Sequence, residues 1–99
     1  MAEIKRKFKC NCKELSISAN ENSFLVICGK HINGAYCAFP SLNISAELSA
    51  FEGDYDYNKS KLIIAFANTV GTEVDEVTIA ELSHIITDTI QELPDIFSL

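Results

Sequence analysis

The sequence predicts a single α+β domain. An N-terminal antiparallel sheet of four to five strands is followed by one or two C-terminal helices that pack on one of its faces. Three observations lead to this prediction. The 99 residues are enough for one hydrophobic core and too few for two. Apolar residues alternate with polar ones in the first half of the chain and recur at helical spacing in the second half. Strands followed by helices are typical of helices packed on one side of a sheet.

The first predicted strand has a lysine-rich outer face. Its apolar side chains in residues 4–12 share one parity: Ile4, Phe8, Cys10 and Cys12. The intervening positions are mostly lysine, so the spacing of two predicts a strand that is buried on one side only. Lysines in such positions also protect an exposed sheet edge from pairing with other chains. The alternation continues at Leu15, Ile17 and Ala19.

The next strands are separated by turn-forming residues. Residues 20–22 are typical of a turn, and the apolar run 24–28 after them predicts a central strand. Residues 29–34 predict a loop whose final Asn-Gly is typical of a hairpin turn. The return strand covers residues 35–39 and ends at Pro40. Alternating residues then predict a further strand, with a short helix as the alternative: Leu42, Ile44, Ala46 and Leu48.

The second half of the chain predicts two helices. After the turn-like segment 52–56, four residues have the spacing of a short amphipathic helix: Leu62, Ile63, Phe66 and Val70. Thr72-Glu73-Val74-Asp75 resembles a capping box, in which the Thr72 hydroxyl accepts a hydrogen bond from a first-turn N–H group. The second helix ends at Pro94 and has one apolar stripe, its predicted buried face: Leu82, Ile85, Ile86, Ile90 and Leu93.

Charge is distributed unevenly along the chain. Residues 1–13 carry a net charge of +4 and residues 14–99 carry −10, which gives the chain −6. An acidic body repels phosphate backbones, so direct binding to nucleic acid is disfavoured and basic protein surfaces become the expected partners. The alternative is a charge that serves only solubility. No apolar segment resembles a secretory signal or approaches the ~20 residues that span a bilayer, so we expect a cytoplasmic protein without a membrane partner.

Four cysteines fall in the predicted strands, and in a reducing compartment they point to thiols or metal ligands. If three strands lie side by side, four thiolates converge on a structural zinc ion. These are Cys10, Cys12, Cys28 and Cys37, and His31 is a possible substitute for one of them. The chain lacks paired Cys-x-x-Cys motifs, and alternate residues of a regular strand lie about 7 Å apart, so chelation by the first two needs a bend. The alternative is that Cys28 and Cys37 are buried apolar thiols.

No catalytic set is recognisable in the sequence. A cysteine nucleophile needs a neighbouring histidine, and no local motif pairs His31 or His84 with a cysteine. The sequence also lacks a glycine-rich phosphate loop, a serine elbow and a zinc-protease motif. We therefore expect that the protein is not an enzyme, with a cryptic thiol enzyme as the alternative.

An acidic segment with interleaved tyrosines is the candidate partner-binding site. Its residues are Glu52, Asp54, Tyr55, Asp56 and Tyr57. Alternating carboxylates are compatible with calcium, but the twelve-residue loop and the glutamate that ends it are missing. Carboxylates with tyrosines are well suited to a basic protein surface, because tyrosine gives contact area at low entropic cost. The alternative is a solvated loop without a partner.

The motifs from Cys28 to Ala80 resemble a family of small, functionally undescribed proteins carried on phages and mobile elements of Gram-positive bacteria. They are CGKHINGAYCAFPSLNISAELS from Cys28, Asp54-x-x-Tyr57-Asn58, Leu62, and VDEVTIAEL from Val74. In that family a G-x-Y-x-x-x-P strand precedes an acidic-aromatic-Asn segment and a V-D-x-x-T-I-A helix. The resemblance covers about half the chain and leaves out the N-terminal Cys-x-Cys strand.

In size, charge and predicted zinc site, the chain also resembles some type II-A anti-CRISPR proteins. This resemblance implies stoichiometric binding to a type II CRISPR effector nuclease in the bacterial host, with loss of target-DNA loading or cleavage. A nuclease that holds nucleic acid in basic channels offers surfaces complementary to an acidic domain. The resemblance assigns no site residue. The alternative is a small zinc-stabilised accessory or regulatory domain of a mobile element that inhibits nothing.

Overall fold

The computed structural model describes residues 10–31, 34–69 and 74–94, with only the backbone for Cys10. Four strands precede two helices. They are β1 (Cys10–Ala19), β2 (Asn22–His31), β3 (Gly34–Phe39), β4 (Ile44–Leu48), α1 (Tyr55–Ala67) and α2 (Glu76–Glu92). A 3-10 turn, Pro40–Leu42, connects β3 to β4. The predicted α+β class is therefore confirmed. Among the described residues, no helix combines the length and the apolarity needed to cross a membrane.

The four strands form an antiparallel meander in the order β1-β2-β3-β4. Strands β1 and β2 pair residue for residue from Cys10 opposite His31 to Ala19 opposite Asn22, without a bulge. Their turn places Asn20 and Glu21 at φ 49° and 67°. Positive φ at both central residues is the geometry of a hairpin turn that matches the right-handed twist of the strands. The hairpin holds β1 in strict register, so its side chains alternate between the two faces of the sheet.

One face of the sheet forms the core with both helices. Helix α1 packs on β4 and on α2, and α2 packs across β1 and β2. Phe39 lies edge to face with both Phe24 and Phe66, with ring centroids 6.1 and 5.2 Å apart. The core comprises Ile17, Ala19, Phe24, Val26, Cys28, Ala35, Cys37, Phe39, Ile44, Leu48, Leu62, Phe66, Ile79, Leu82, Ile86 and Ile90.

Two polar contacts attach the C-terminal end of α2 to the sheet. The buried Lys30 donates from Nζ to the carbonyl oxygen of Leu93 at 3.1 Å, where a cation opposes the negative end of the helix dipole. Asn11 donates from Nδ2 to the carbonyl oxygen of Pro94 at 2.7 Å. The end of the last helix is therefore attached to the first two strands.

Several predicted boundaries differ from the structure. Strand β2 continues through Gly29 to His31 and β3 begins at Gly34, so residues predicted as loop belong to paired strands. Helix α1 begins at Tyr55, inside the segment predicted as a turn. The first predicted strand lies outside the described residues up to residue 9, and so does Val70.

The start of α2 also differs from the prediction. Asp75 is its N-cap, and a carboxylate oxygen of Asp75 accepts a hydrogen bond from the backbone N–H of Thr78 at 2.8 Å. Thr72, the predicted cap, lies outside the described residues. The stripe of α2 is confirmed, since Leu82, Ile86 and Ile90 are fully buried.

Candidate protein-binding surface

Among the described side chains of the predicted zinc ligands, the structure separates Cys12 from Cys28 and Cys37. Since β1 alternates strictly and Leu15, Ile17 and Ala19 point to the helices, Cys12 faces the opposite side of the sheet and is exposed. Cys28 is buried on the helix side. The alternation in residues 4–12 had predicted Cys12 on the half-buried face, and the change of parity between Cys12 and Leu15 explains the difference.

The pair Cys28 and Cys37 is directly opposed across β2 and β3, as the predicted hairpin implied. Both are free and fully buried. Burial raises the pKa of Cys28 from 9.0 to about 11 and that of Cys37 to about 12. The neighbouring Cys28 sulfur adds to the shift of Cys37. Thiols of this kind are protonated and unreactive at neutral pH.

No metal centre is formed by the described residues, in which no three His, Cys, Asp or Glu side chains lie close enough to hold an ion. His31 occupies the register position opposite Cys10, and its ring stacks on Tyr36 with centroids 6.2 Å apart. The side chain of Cys10 lies outside the described part. Zinc binding therefore stays a prediction.

Two of the five predicted partner-binding residues, Asp54 and Tyr55, have side-chain hydrogen bonds within the chain. Asp54 is the N-cap of α1, and one of its carboxylate oxygens accepts from Ser49 Oγ at 2.6 Å. The same hydroxyl oxygen accepts from the backbone N–H of Phe51 at 3.0 Å. These bonds hold the connection between β4 and α1 in place. The role of Asp54 is therefore mainly structural.

Tyr55 forms a cluster with two residues of α2. Its hydroxyl donates to a carboxylate oxygen of Asp88, and its ring stacks on His84 with centroids 4.3 Å apart and planes 10° apart. His84 Nε2 lies 3.4 Å from the other carboxylate oxygen of Asp88. The hydrogen bond to Asp88 raises the pKa of Tyr55 above its ordinary 10.0, because the carboxylate stabilises the protonated phenol. The cluster attaches the start of α1 to α2.

Asn58 is a buried residue that the predicted site did not include, although it appears in the Asp54-x-x-Tyr57-Asn58 motif. Its Oδ1 accepts from the backbone N–H of Ser49 at 2.7 Å. Its Nδ2 donates to the Ser49 carbonyl at 3.3 Å and to Thr87 Oγ1 at 3.0 Å. Asn58 therefore joins the residue that follows β4 to α1 and α2, and its own place in the motif is explained by folding.

The other residues of the acidic-aromatic segment face solvent. Glu52 and Asp56 are exposed, and the Tyr57 side chain is half-exposed with Lys61 Nζ 5.6 Å from its ring centroid. Phe51, at the same end of the helix, is 80% exposed. The sequence analysis did not predict Phe51 as part of the site. Its position directly before the turn-like segment 52–56 is a signal that could have identified it.

The solvent-facing side of α1 is unusually apolar. The buried side follows Asn58, Leu62 and Phe66 at a spacing of four. On the opposite side, Ile64 is 58% exposed and Ile63 is 36% exposed, although Ile63 was predicted on the buried stripe. We call the exposed side of the helix the outer α1 surface, which consists of Asp56, Tyr57, Ser60, Ile63, Ile64 and Ala67.

A cleft adjoins the C-terminal end of the outer α1 surface. It has a volume of about 690 Å³ and lies between α1, the start of α2 and the β1–β2 turn. Its lining residues are Asn20, Asn22, Ile63, Phe66, Ala67, Val74, Asp75, Glu76, Thr78 and Ile79. Asp75 accepts a hydrogen bond from Asn20 Nδ2 at 3.2 Å, which connects the hairpin turn to the cap of α2.

Comparison with known protein families gives one match, which covers residues 2–91 and therefore nearly the whole chain. The matched range includes the Cys-x-Cys strand together with the sheet and both helices. The family is described only as one of unknown function. Searches of curated proteins and of solved structures find no match. The chain thus belongs to the DUF6618 family, a family of unknown function.

Proposed function

We propose that this chain acts by binding a protein through the outer α1 surface, without catalysing a reaction. The observation that carries the proposal is the apolar character of α1 on both of its sides. A helix at the surface of a globular protein normally places polar residues toward water. Here Ile63, Ile64 and Tyr57 are exposed instead, and exposed apolar patches of this kind mark interaction sites.

The residues around the outer α1 surface are suited to an interface. Tyr57 provides an aromatic contact residue, and Lys61 over its ring restricts its motion before binding. Glu52 and Asp56 place negative charge at the N-terminal end of the same helix. An apolar centre with an acidic edge favours a partner surface that is apolar with basic residues around it.

The partner that we propose first is a type II CRISPR effector nuclease. It follows from the resemblance to type II-A anti-CRISPR proteins, and the net charge of −6 is compatible with it. Such a nuclease carries basic channels for nucleic acid, next to which an acidic domain is attracted electrostatically. Binding there blocks target-DNA loading or the conformational step before cleavage.

The experiment is capture of the effector nuclease by the purified chain, compared between two variants. Ile64→Ser alters the centre of the outer α1 surface, and Val77→Ser alters a residue of α2 that is equally accessible, at 64% exposed. We expect Ile64→Ser to weaken capture about tenfold, which corresponds to the loss of one central apolar contact. Val77→Ser should bind like the unmodified chain. Equal capture by both variants would rule out the outer α1 surface.

The same samples test the partner. Target-DNA cleavage is measured with increasing amounts of the chain at low and moderate salt, because an electrostatic contribution weakens as salt rises. We expect cleavage to fall as the chain saturates the nuclease. Full cleavage at saturation would reject this nuclease as the target, and a screen of other basic proteins would then follow.

A further inference from the structure

The cleft beside the outer α1 surface combines an apolar floor with an acidic edge. Ile63, Phe66 and Ile79 supply apolar surface from α1 and α2. Asp75 and Glu76 supply carboxylates at the start of α2. None of the described residues that line it is a lysine or an arginine. The charge in the cleft is therefore negative, while much of its surface is apolar.

The carboxylate of Asp75 retains acceptor capacity for a ligand. One of its oxygens accepts from the Thr78 N–H and the other from Asn20 Nδ2. Each carboxylate oxygen has a further lone pair, so additional donors can bind to both. The hydrogen bonds to Thr78 lower the pKa of Asp75 below its ordinary 3.8, so this carboxylate is ionised at neutral pH.

Glu76 already shows how a cation is held at this edge. Its carboxylate lies 3.1 Å from Nζ of Lys59, a residue of α1 that does not line the cleft. The Glu76 side chain is 73% exposed despite this ion pair, so a second cation can reach it. Lys59 is consequently an internal competitor for any cationic ligand.

We propose that the cleft receives an arginine side chain from the protein partner, a proposal that rests on the proposed function. The aliphatic stem of the arginine lies on the apolar floor while its guanidinium group binds the carboxylates of Asp75 and Glu76. Arginine fits better than a purely apolar residue, because the planar guanidinium donates to two carboxylate oxygens at once. Ile63 and Ala67 belong both to the cleft and to the outer α1 surface, so one partner contacts both.

The test uses the full chain, labelled with ¹⁵N, and records backbone amide shifts during titration. The probe is N-acetyl-arginine methylamide, and N-acetyl-citrulline methylamide is the uncharged probe of the same shape. We expect saturable shifts at cleft residues with arginine and much smaller shifts with citrulline. Equal shifts with both probes, or none, would overturn the proposal.

Three variants separate the cleft from general electrostatics. Asp75→Asn with Glu76→Gln should weaken arginine binding about fivefold, the effect of two exposed charge contacts, and asparagine at position 75 still caps α2. Lys59→Met should strengthen it about twofold, because the competitor is removed. Glu81→Gln with Glu92→Gln makes the same charge change on α2 outside the cleft and should have no effect. Weaker binding in this control would show that only net charge matters.

Partner capture distinguishes failure of this proposal from failure of the proposed function. If Ile64→Ser loses the partner while Asp75→Asn with Glu76→Gln keeps it, the surface stands and the arginine contact is rejected. If the probe binds but Ile64→Ser keeps the partner, the surface is rejected and the cleft stands. Light scattering of the same variants detects self-association. A dimer that the cleft variants abolish would assign the cleft to a second copy and overturn the proposal.

Discussion

Asn58 shows how one buried polar side chain can connect three segments of the chain. Its amide satisfies both backbone groups of Ser49 and reaches Thr87 on the other helix. The Thr87 hydroxyl in turn donates to the carbonyl oxygen of Ser83 at 2.6 Å. Among the described residues, no buried side-chain nitrogen or oxygen lacks a hydrogen-bond partner. The network stabilises only as long as every member keeps its partner.

Asn58→Ala should lower the free energy of unfolding by about 1–3 kcal/mol, because the half-buried Ser49 N–H loses its acceptor. Denaturant unfolding followed by circular dichroism measures this change. Asn68→Ala, at the exposed end of α1, is the matched control and should stay within about 0.5 kcal/mol. A similar small effect of both substitutions would show that water replaces the amide of Asn58.

The described cysteines should differ sharply in reactivity. In a Cys10→Ser background, Cys12 should react with a thiol reagent in the folded protein, whereas Cys28 and Cys37 should react only after unfolding.

Because the pKa values of Cys28 and Cys37 rise from 9.0 to about 11 and about 12 in the folded protein, the unfolded chain loses these protons first as the pH rises. Stability should therefore fall as the pH rises above 9.0. Rapid labelling of all three thiols at neutral pH would contradict the burial.

For single residues, the sequence predicted which segment is of interest better than it predicted what each side chain contacts. The acidic-aromatic segment was identified, but Asp54 and Tyr55 are occupied by Ser49 and Asp88. Ser49 lies five residues before Asp54, whereas Asp88 lies 33 residues after Tyr55. The local sequence pattern does not show which polar residue in one helix will form a hydrogen bond with a residue in another helix.

The helices show how a cap determines where an element begins. The backbone of Asp75 is extended and its side chain accepts from the Thr78 N–H, so α2 starts at Glu76. The predicted capping box placed the cap three residues earlier, at Thr72, because Thr and Asp are both common at this position. A sequence with two possible capping residues three positions apart is ambiguous, and in the structure Asp75 caps the helix that buries Ile79 and Leu82.

Asp75→Ala should destabilise the protein at neutral pH, because it removes the N-cap and the contact with Asn20. The pKa of Asp75 is lowered in the folded state, so its contribution is present above 3.8 and is lost as the pH falls below that value. The difference between Asp75→Ala and the unmodified chain should therefore shrink in acid. Thermal unfolding at several pH values measures it. Asp75→Asn is the control, and a large effect there would mean that charge matters more than capping.

The strands were predicted in type and order because period-two alternation reports which face is buried. Ile17 and Ala19 in β1 are buried, as the pattern predicted. The ends were less predictable, as Gly29 illustrates. A glycine before Lys-His is typical of the start of a loop, but Gly29 is paired within the sheet with Cys12 and with Tyr36. The ring of Tyr36 covers Gly29, with its nearest atom 2.5 Å from where a Cβ atom would lie, so this position requires a glycine while the ring stays in place. Only the paired strand β3 reveals that requirement.

For the whole molecule, the sheet acts as a partition between two sets of cysteines. Cys12 is exposed on one side, and Cys28 with Cys37 is buried on the other. A zinc ion bound by Cys12 together with Cys28 and Cys37 would require β1 to leave its register with β2, at the cost of the pairs from Cys10 to Ala19.

If zinc binds as the sequence predicts, chelation should lower the thermal midpoint of protein purified under reducing conditions, because bound metal adds to the folding free energy. An unchanged midpoint would reject the zinc prediction. Metal analysis of the same sample gives the zinc content, and the Cys12→Ser variant is the control for adventitious binding at the surface. A midpoint that rises with added zinc would establish a metal site that uses thiols together with residues outside the described part.

The meander has a consequence for synthesis on the ribosome. Each strand pairs with its neighbour in the chain, so the sheet can assemble hairpin by hairpin as residues 10–48 emerge. The helices that cover its apolar face are made last, and the contact between Lys30 and Leu93 closes a separation of 63 residues. The nascent chain therefore carries an uncovered apolar sheet until α1 and α2 have been synthesised.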